Sequence, residues 1–217
     1  MTSKNEKPRL LWACIALLTF ASPRMLAQNY PAESRPVALK ALDGFKNFGK
    51  LQAQAAGFQP AEGPPALGEP FGVRIATLDS LRAYKPGSDP EKSLNPAVQK
   101  VIYPVLVNER LRSSITVEKT EGAWEATAIG KSNFARLLTQ ARSRSVETMR
   151  QDITNHFTIE IPALNMYFVA AKTEAKLKLT PIITDKFLGL TAGETMPAEV
   201  VFDKLSRLAR QYNNKPM

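Results

Sequence analysis

Few residues in this chain have the types and spacing that chemistry needs. His156 is the single histidine, four residues after Asp152 in Asp152-Ile153-Thr154-Asn155-His156. A general base or a metal site needs partners that converge on it, and neighbours in sequence do not supply them. At the entrance to a strand it reads as a hydrogen-bonding residue. Asp79 and Glu160 are carboxylates that would suit acid–base catalysis beside an Arg or Lys, but no motif joins them. Ser88-Asp89-Pro90-Glu91 places two carboxylates at a turn, short of the oxygen ligands that calcium requires. The sequence contains no Gly-x-Ser-x-Gly, His-Glu-x-x-His, P-loop, Gly-x-Gly-x-x-Gly or Ser-x-x-Lys pattern. The expectation is no catalytic residue, no metal and no cofactor.

Binding residues are easier to nominate. Tyr103 and Trp124 suit the lining of a ligand pocket, with core packing as the competing assignment. Leu42, Phe45 and Phe48 continue a stripe begun at Leu39 and suit a protein partner. Lys176 and Lys178 share one strand face, which Lys172 would extend. Such a row meets an anionic polymer or lipid headgroups, or protects a sheet edge. Arg136, Arg142, Arg144 and Arg150 fall on one helix. At 100° per residue they surround its apolar face, with Arg142 about 80° from Phe134. No aromatic residues interleave with them as stacking platforms for single strands. A nucleic-acid partner is not expected.

These residues sit in a chain of 217 residues, 44% apolar and 23% charged, enough for a real core. The first segment stands apart. A basic leader, "MTSKNEKPR", precedes the apolar run "LLWACIALLTFA". That run is too short for a bilayer, which needs about 20 residues, and suits a signal peptide. Cleavage is expected after Ala27, with Ala21 as the alternative. It would remove Cys14, four of the 29 basic residues and one of the 20 acidic ones, so the net charge falls from +9 to about +6. The remaining chain has no cysteine, hence no disulfide framework. The expected location is periplasmic or secreted, in a bacterial envelope, with no transmembrane segment after cleavage.

The rest divides into an amphipathic N-terminal helix (28–56), a Pro/Gly-rich linker (57–69) and a main domain (70–217). "FGVRIATLDSL" reads as a strand. "KVIYPVLV" alternates Val101, Tyr103, Val105 and Val107, with Pro104 pointing to an edge or a bulge. "SSITVEKTEGAWEATAIG" reads as two strands around Glu121-Gly122, so residues 100–130 form a meander. "KSNFARLLTQARSRSVETM" and "MPAEVVFDKLSRLARQY" have helical periodicity. Residues 155–172 read as a strand with a bulge at Pro162-Ala163. "AKLKLTPIIT" adds another. Together they predict an α+β fold: an antiparallel sheet of about five to six strands covered by two helices. The function expected is a non-catalytic exported module that binds a protein partner or a small ligand. A carboxylate enzyme and a structural subunit of an envelope assembly are the alternatives.

Overall fold

The computed structural model describes residues 30–44, 63–130, 132–173 and 176–211. The leader, both cleavage points, Phe45, Phe48 and residues 57–62 of the expected linker lie outside these residues. Among the described residues the fold is α+β, with one mostly antiparallel sheet of nine strands and four helices. The strands are β1 (Pro65–Leu67), β2 (Phe71–Ile75), β3 (Lys100–Val107), β4 (Arg110–Thr120), β5 (Ala123–Ile129), β6 (His156–Ile161), β7 (Met166–Thr173), β8 (Lys176–Pro181) and β9 (Met196–Pro197). The helices are α1 (Ser34–Gly44), α2 (Leu78–Ala83), α3 (Ser132–Met149) and α4 (Ala198–Gln211).

The sheet is wider than expected, and its order is β5-β4-β3-β2-β6-β7-β8-β9, with β1 beside β3. One junction, β2 with β6, is parallel. It joins two antiparallel halves, β1 to β5 and β6 to β9. Where one strand was expected over residues 155–172, a β6–β7 hairpin stands instead. Pro162 opens a 3₁₀ turn and Asn165, at φ 50°, closes it in the left-handed region. The turn explains the shift in apolar phase that a bulge would also have given. Residues 71–83 hold a strand followed by α2, capped by the Thr77 hydroxyl on the Ser80 N–H. In the meander, Glu121 and Gly122 both take positive φ, the geometry of a tight two-residue hairpin.

Strand β3 is interior despite its proline. β1 and β2 run along the same side of it and break at Gly68-Glu69-Pro70, opposite Tyr103 and Pro104, where a ladder donor would be missing. Gly68 donates its N–H to Pro104 O, and a Cβ there would press on Pro104 and Leu106 at 3.3 Å. Arg142 of α3 fills the break. Its guanidinium donates to Glu69 O and Pro70 O, each at 2.9 Å, and stacks 3.6 Å from the Phe71 ring. The side chain is only 4% exposed, and burial pulls its pKa down to about 10.

Three apolar clusters hold the layers together. α3 covers the central seam on one face through Leu138 and Ala141 against Phe71, Val73, Ile102 and Val169. On the opposite face α1 covers β3 and β4, with Ala38 and Leu42 against Val101, Tyr103 and Val105. The largest cluster packs α2 and α4 on β6 to β8, with Phe202 and Leu205 against Phe168 and Leu179. Among the described residues no helix is long and apolar enough to cross a membrane.

Candidate functional site

The N-terminal helix walls one concavity of the described residues. Ser34 starts α1 and is fully buried. Its hydroxyl donates to Pro31 O at 2.7 Å and pairs with the Tyr103 hydroxyl at 2.8 Å. Tyr30 meets the Tyr103 ring edge-on, with centroids 6.4 Å apart. Burial pushes the Tyr103 phenol above its ordinary pKa, even though the Ser34 hydrogen bond acts the other way. These contacts moor the start of α1 over β3, beside the β4–β5 hairpin.

Between the helix and the hairpin lies an open groove of ≈ 560 Å³. That volume falls in the range of ligand pockets, about 300–1,000 Å³. Trp124, Val37, Val98 and Pro31 supply apolar walls, and Glu33 and Lys119 bring opposite charges to the lining. Trp124 lies opposite Lys119 in the ladder, so both side chains leave the sheet on the α1 face. The groove therefore offers an aromatic surface and one charge of each sign.

The other face at this end of the sheet is polar and occupied. Lys100 bonds Glu160 at 2.8 Å and Glu118 at 3.1 Å, while the Tyr167 hydroxyl donates to Glu160 at 2.9 Å. Glu160 is 5% exposed. Burial lowers the Lys100 pKa, but hydrogen bonding and charge from Glu160 and then Glu118 more than offset this, so the net shift is upward. Burial, followed by the hydrogen bond to Glu160, pushes Tyr167 up to about 12. The tyrosine is thus a neutral donor at physiological pH. The cluster therefore keeps Lys100 charged and Tyr167 protonated.

The remaining sequence candidates are placed as follows. Tyr103 is fully buried, and Trp124 is half-buried on the groove. Leu42 belongs to the core beneath α1. Lys176 and Lys178 lie opposite Thr173 and Ala171, while Lys172 lies opposite Leu177 and so projects from the other face. There it binds Glu91 at 2.8 Å. The expected extension of the lysine row by Lys172 does not occur, because paired residues share a face of the sheet. Asp79 is ion-paired to Arg82, and Asp89 caps the turn at Pro90 by accepting from Glu91 N–H. His156 is buried at 2% exposure, with Nδ1 hydrogen-bonded to Asp152 O.

Sequence reasoning did not single out Ser34, Lys100, Lys119 or Tyr167 for this region. Each gains its meaning here from a partner on another element; of the four, Ser34 alone has a local signal, as a helix cap ahead of Pro36. Among the described residues no three His, Cys, Asp or Glu side chains gather as a metal site would require. Comparison with protein-family models, with curated proteins and with solved structures gives no match.

Proposed function

We propose that this chain is an exported, non-catalytic binding module of the bacterial envelope, and that its ligand, a segment of a protein partner or a small molecule, docks in the groove beside Trp124. The observation that carries this reading is the groove itself: an aromatic residue and apolar walls with two opposite charges, formed where α1 meets the β4–β5 hairpin. Pockets of that composition bind ligands by apolar contact and orient them with a few polar groups. The state of the acid–base candidates supports binding over catalysis. Glu160 is held by Lys100 and Tyr167, Asp79 is paired with Arg82, and His156 is buried.

Native mass spectrometry of the protein exported through its own leader tests the reading. The expected result is the mass of a chain starting at residue 28, carrying added mass that Trp124→Ala removes. Retention of residues 1–27 would overturn the export. A bare processed chain, together with equal binding of an anilinonaphthalene sulfonate probe by the parent and Trp124→Ala proteins, would overturn the groove.

A further inference from the structure

The groove lies against an open strand edge. Among the described residues nothing pairs with the outer side of β5, the last strand in the sheet order. Nearly every β5 residue is exposed, the strand contains no proline, and Glu125 is its only charged residue. Natural proteins usually blunt such an edge. Here the one such device is a bulge at Thr127, where Ala126 pairs with Val117 but Ala128 pairs with Thr116. The stretch nearest the hairpin turn, Ala123 to Ala126, stays regular, and Ala123 and Trp124 line the groove.

The direction of the free groups follows from the ladder. Lys119 donates its N–H to Gln99 O on the β3 side, so the flanking Glu118 and Thr120 direct theirs toward β5. Their partners Glu125 and Ala123 then face inward, which turns the N–H and C=O of Trp124 and Ala126 outward. Two residues therefore present unpaired donors and acceptors beside an aromatic groove. An extended backbone is the chemistry that satisfies them.

The side chains define the sequence such a backbone would carry. A residue opposite Trp124 projects onto the groove side, where Trp124, Val37, Val98 and Pro31 offer apolar contact beside the charges of Glu33 and Lys119. A residue opposite Glu125 projects onto the other face. There Glu125 lies directly across from Glu118, and Glu118 shares its one lysine with Glu160. No cation among the described residues pairs with Glu125. Glu125 thus stands beside a second carboxylate with only a shared lysine nearby on β3, and this position attracts a basic side chain.

We infer that β5 takes an extended peptide segment as an added strand, with apolar residues directed into the Trp124 groove and basic residues directed to Glu125 and Glu118. The inference rests on the groove reading above and names the class of ligand. The probe is a short capped peptide alternating valine and lysine. Controls are a peptide of the same composition with the valines grouped together, and one alternating valine and glutamate. The alternating valine–lysine peptide should bind best and should slow exchange of the Trp124 and Ala126 amides.

Ala126→Pro removes an outward donor and leaves the β4 ladder intact, since proline is tolerated on edge strands. It should weaken binding about tenfold. Glu125→Lys should weaken binding of the valine–lysine peptide about fivefold and favour the valine–glutamate peptide. Binding that Trp124→Ala abolishes but Ala126→Pro leaves unchanged would overturn strand addition and leave the groove reading in place. Absence of peptide binding to the folded protein would overturn strand addition, and the added mass under native conditions would then decide the groove. Concentration-dependent dimerisation broken by Ala126→Pro, without peptide binding, would assign the edge to a second copy and overturn the inference.

Discussion

The two antiparallel halves that meet at the β2–β6 seam are built to different standards of closure. In the second half every residue of β6 is buried, β7 and β8 are buried through most of their length, and α2 and α4 pack over one face. Its end is partly closed by β9 and by the Thr180–Thr195 hydroxyl pair. In the first half β5 is mostly exposed, and the rest of the meander is covered by α1 on one face and by α3, over β3 and β4, on the other. The same apolar alternation builds both halves, so strand periodicity does not explain the contrast. What differs is the outer edge: β9 partly covers that of the second half, whereas nothing among the described residues pairs with β5. The second half is the more fully buried. The proposed recognition would use the half left open at its edge, where backbone and aromatic surface are available.

That division fails if the two halves respond alike to truncation. Phe202 is fully buried among residues of the second half. Phe202→Ala should cost about 4 kcal/mol, the usual range for a core phenylalanine. Trp124 is half-exposed beside the groove, and Trp124→Ala should cost about 1 kcal/mol. Urea midpoints at constant m-value give both numbers. Equal losses would mean that the groove wall is part of the core, and would weaken its assignment as a binding surface.

Arg142 tests the seam between the halves. Its guanidinium satisfies two carbonyls at the β1–β2 break. Arg142→Met keeps much of the side-chain volume but leaves both acceptors buried and unpaired. It should cost about 3 kcal/mol. Arg142→Lys should rescue little of that loss, because an ammonium lacks the planar fork and the stacking surface over Phe71. A loss confined to the first half, read as faster amide exchange in β1 through β5 alone, would sharpen the comparison. It would show that the seam is where the two halves separate.

The parts of this fold legible in the sequence are those set by local chemistry. Val101, Tyr103, Val105 and Val107 alternate into the core as expected, and Glu121-Gly122 makes the hairpin turn. The apolar faces of α3 and α4 followed from helical spacing. Elements that depend on a distant partner were not legible. β1 and β9 have three and two residues, too few for any periodicity, and exist because β3 and β8 offer them ladders. α2 was read as part of the strand that carries Phe71, Val73 and Ile75 on one face, although Leu78 and Leu81 are three residues apart, a helical spacing, and Thr77 caps the helix. The candidate site was legible only as single residues. Trp124 was visible, but its groove needs α1 and the hairpin to meet. Arg142 had a hint of its role, since about 80° from Phe134 places it on the shoulder of the buried face.

The smallest expected effect lies inside α3's face of the sheet and appears only on the acid side. His156 is buried, and its Nδ1 bonds Asp152 O. Its Nε2 has no partner, nor do the buried hydroxyls of Thr158 and Ser145 on neighbouring positions of β6 and α3. Burial and then the nearby Arg142 charge lower its pKa, despite the opposing contributions of Asp152. The folded state therefore refuses a proton that the unfolded chain accepts near pH 6.5. Stability from this residue is complete above that value and declines as pH falls below it. Asp152, held down first by the Thr154 N–H, acts in a separate window below its ordinary value of 3.8. His156→Asn keeps a donor for Asp152 O and removes the titration. The slope of unfolding free energy between pH 6.5 and the Asp152 window should flatten, with little change in slope at neutral pH. If the slope is unchanged, the imidazole must already accept its proton in the folded state. The second half would then be less closed around His156 than its burial implies, and the contrast between the halves would narrow.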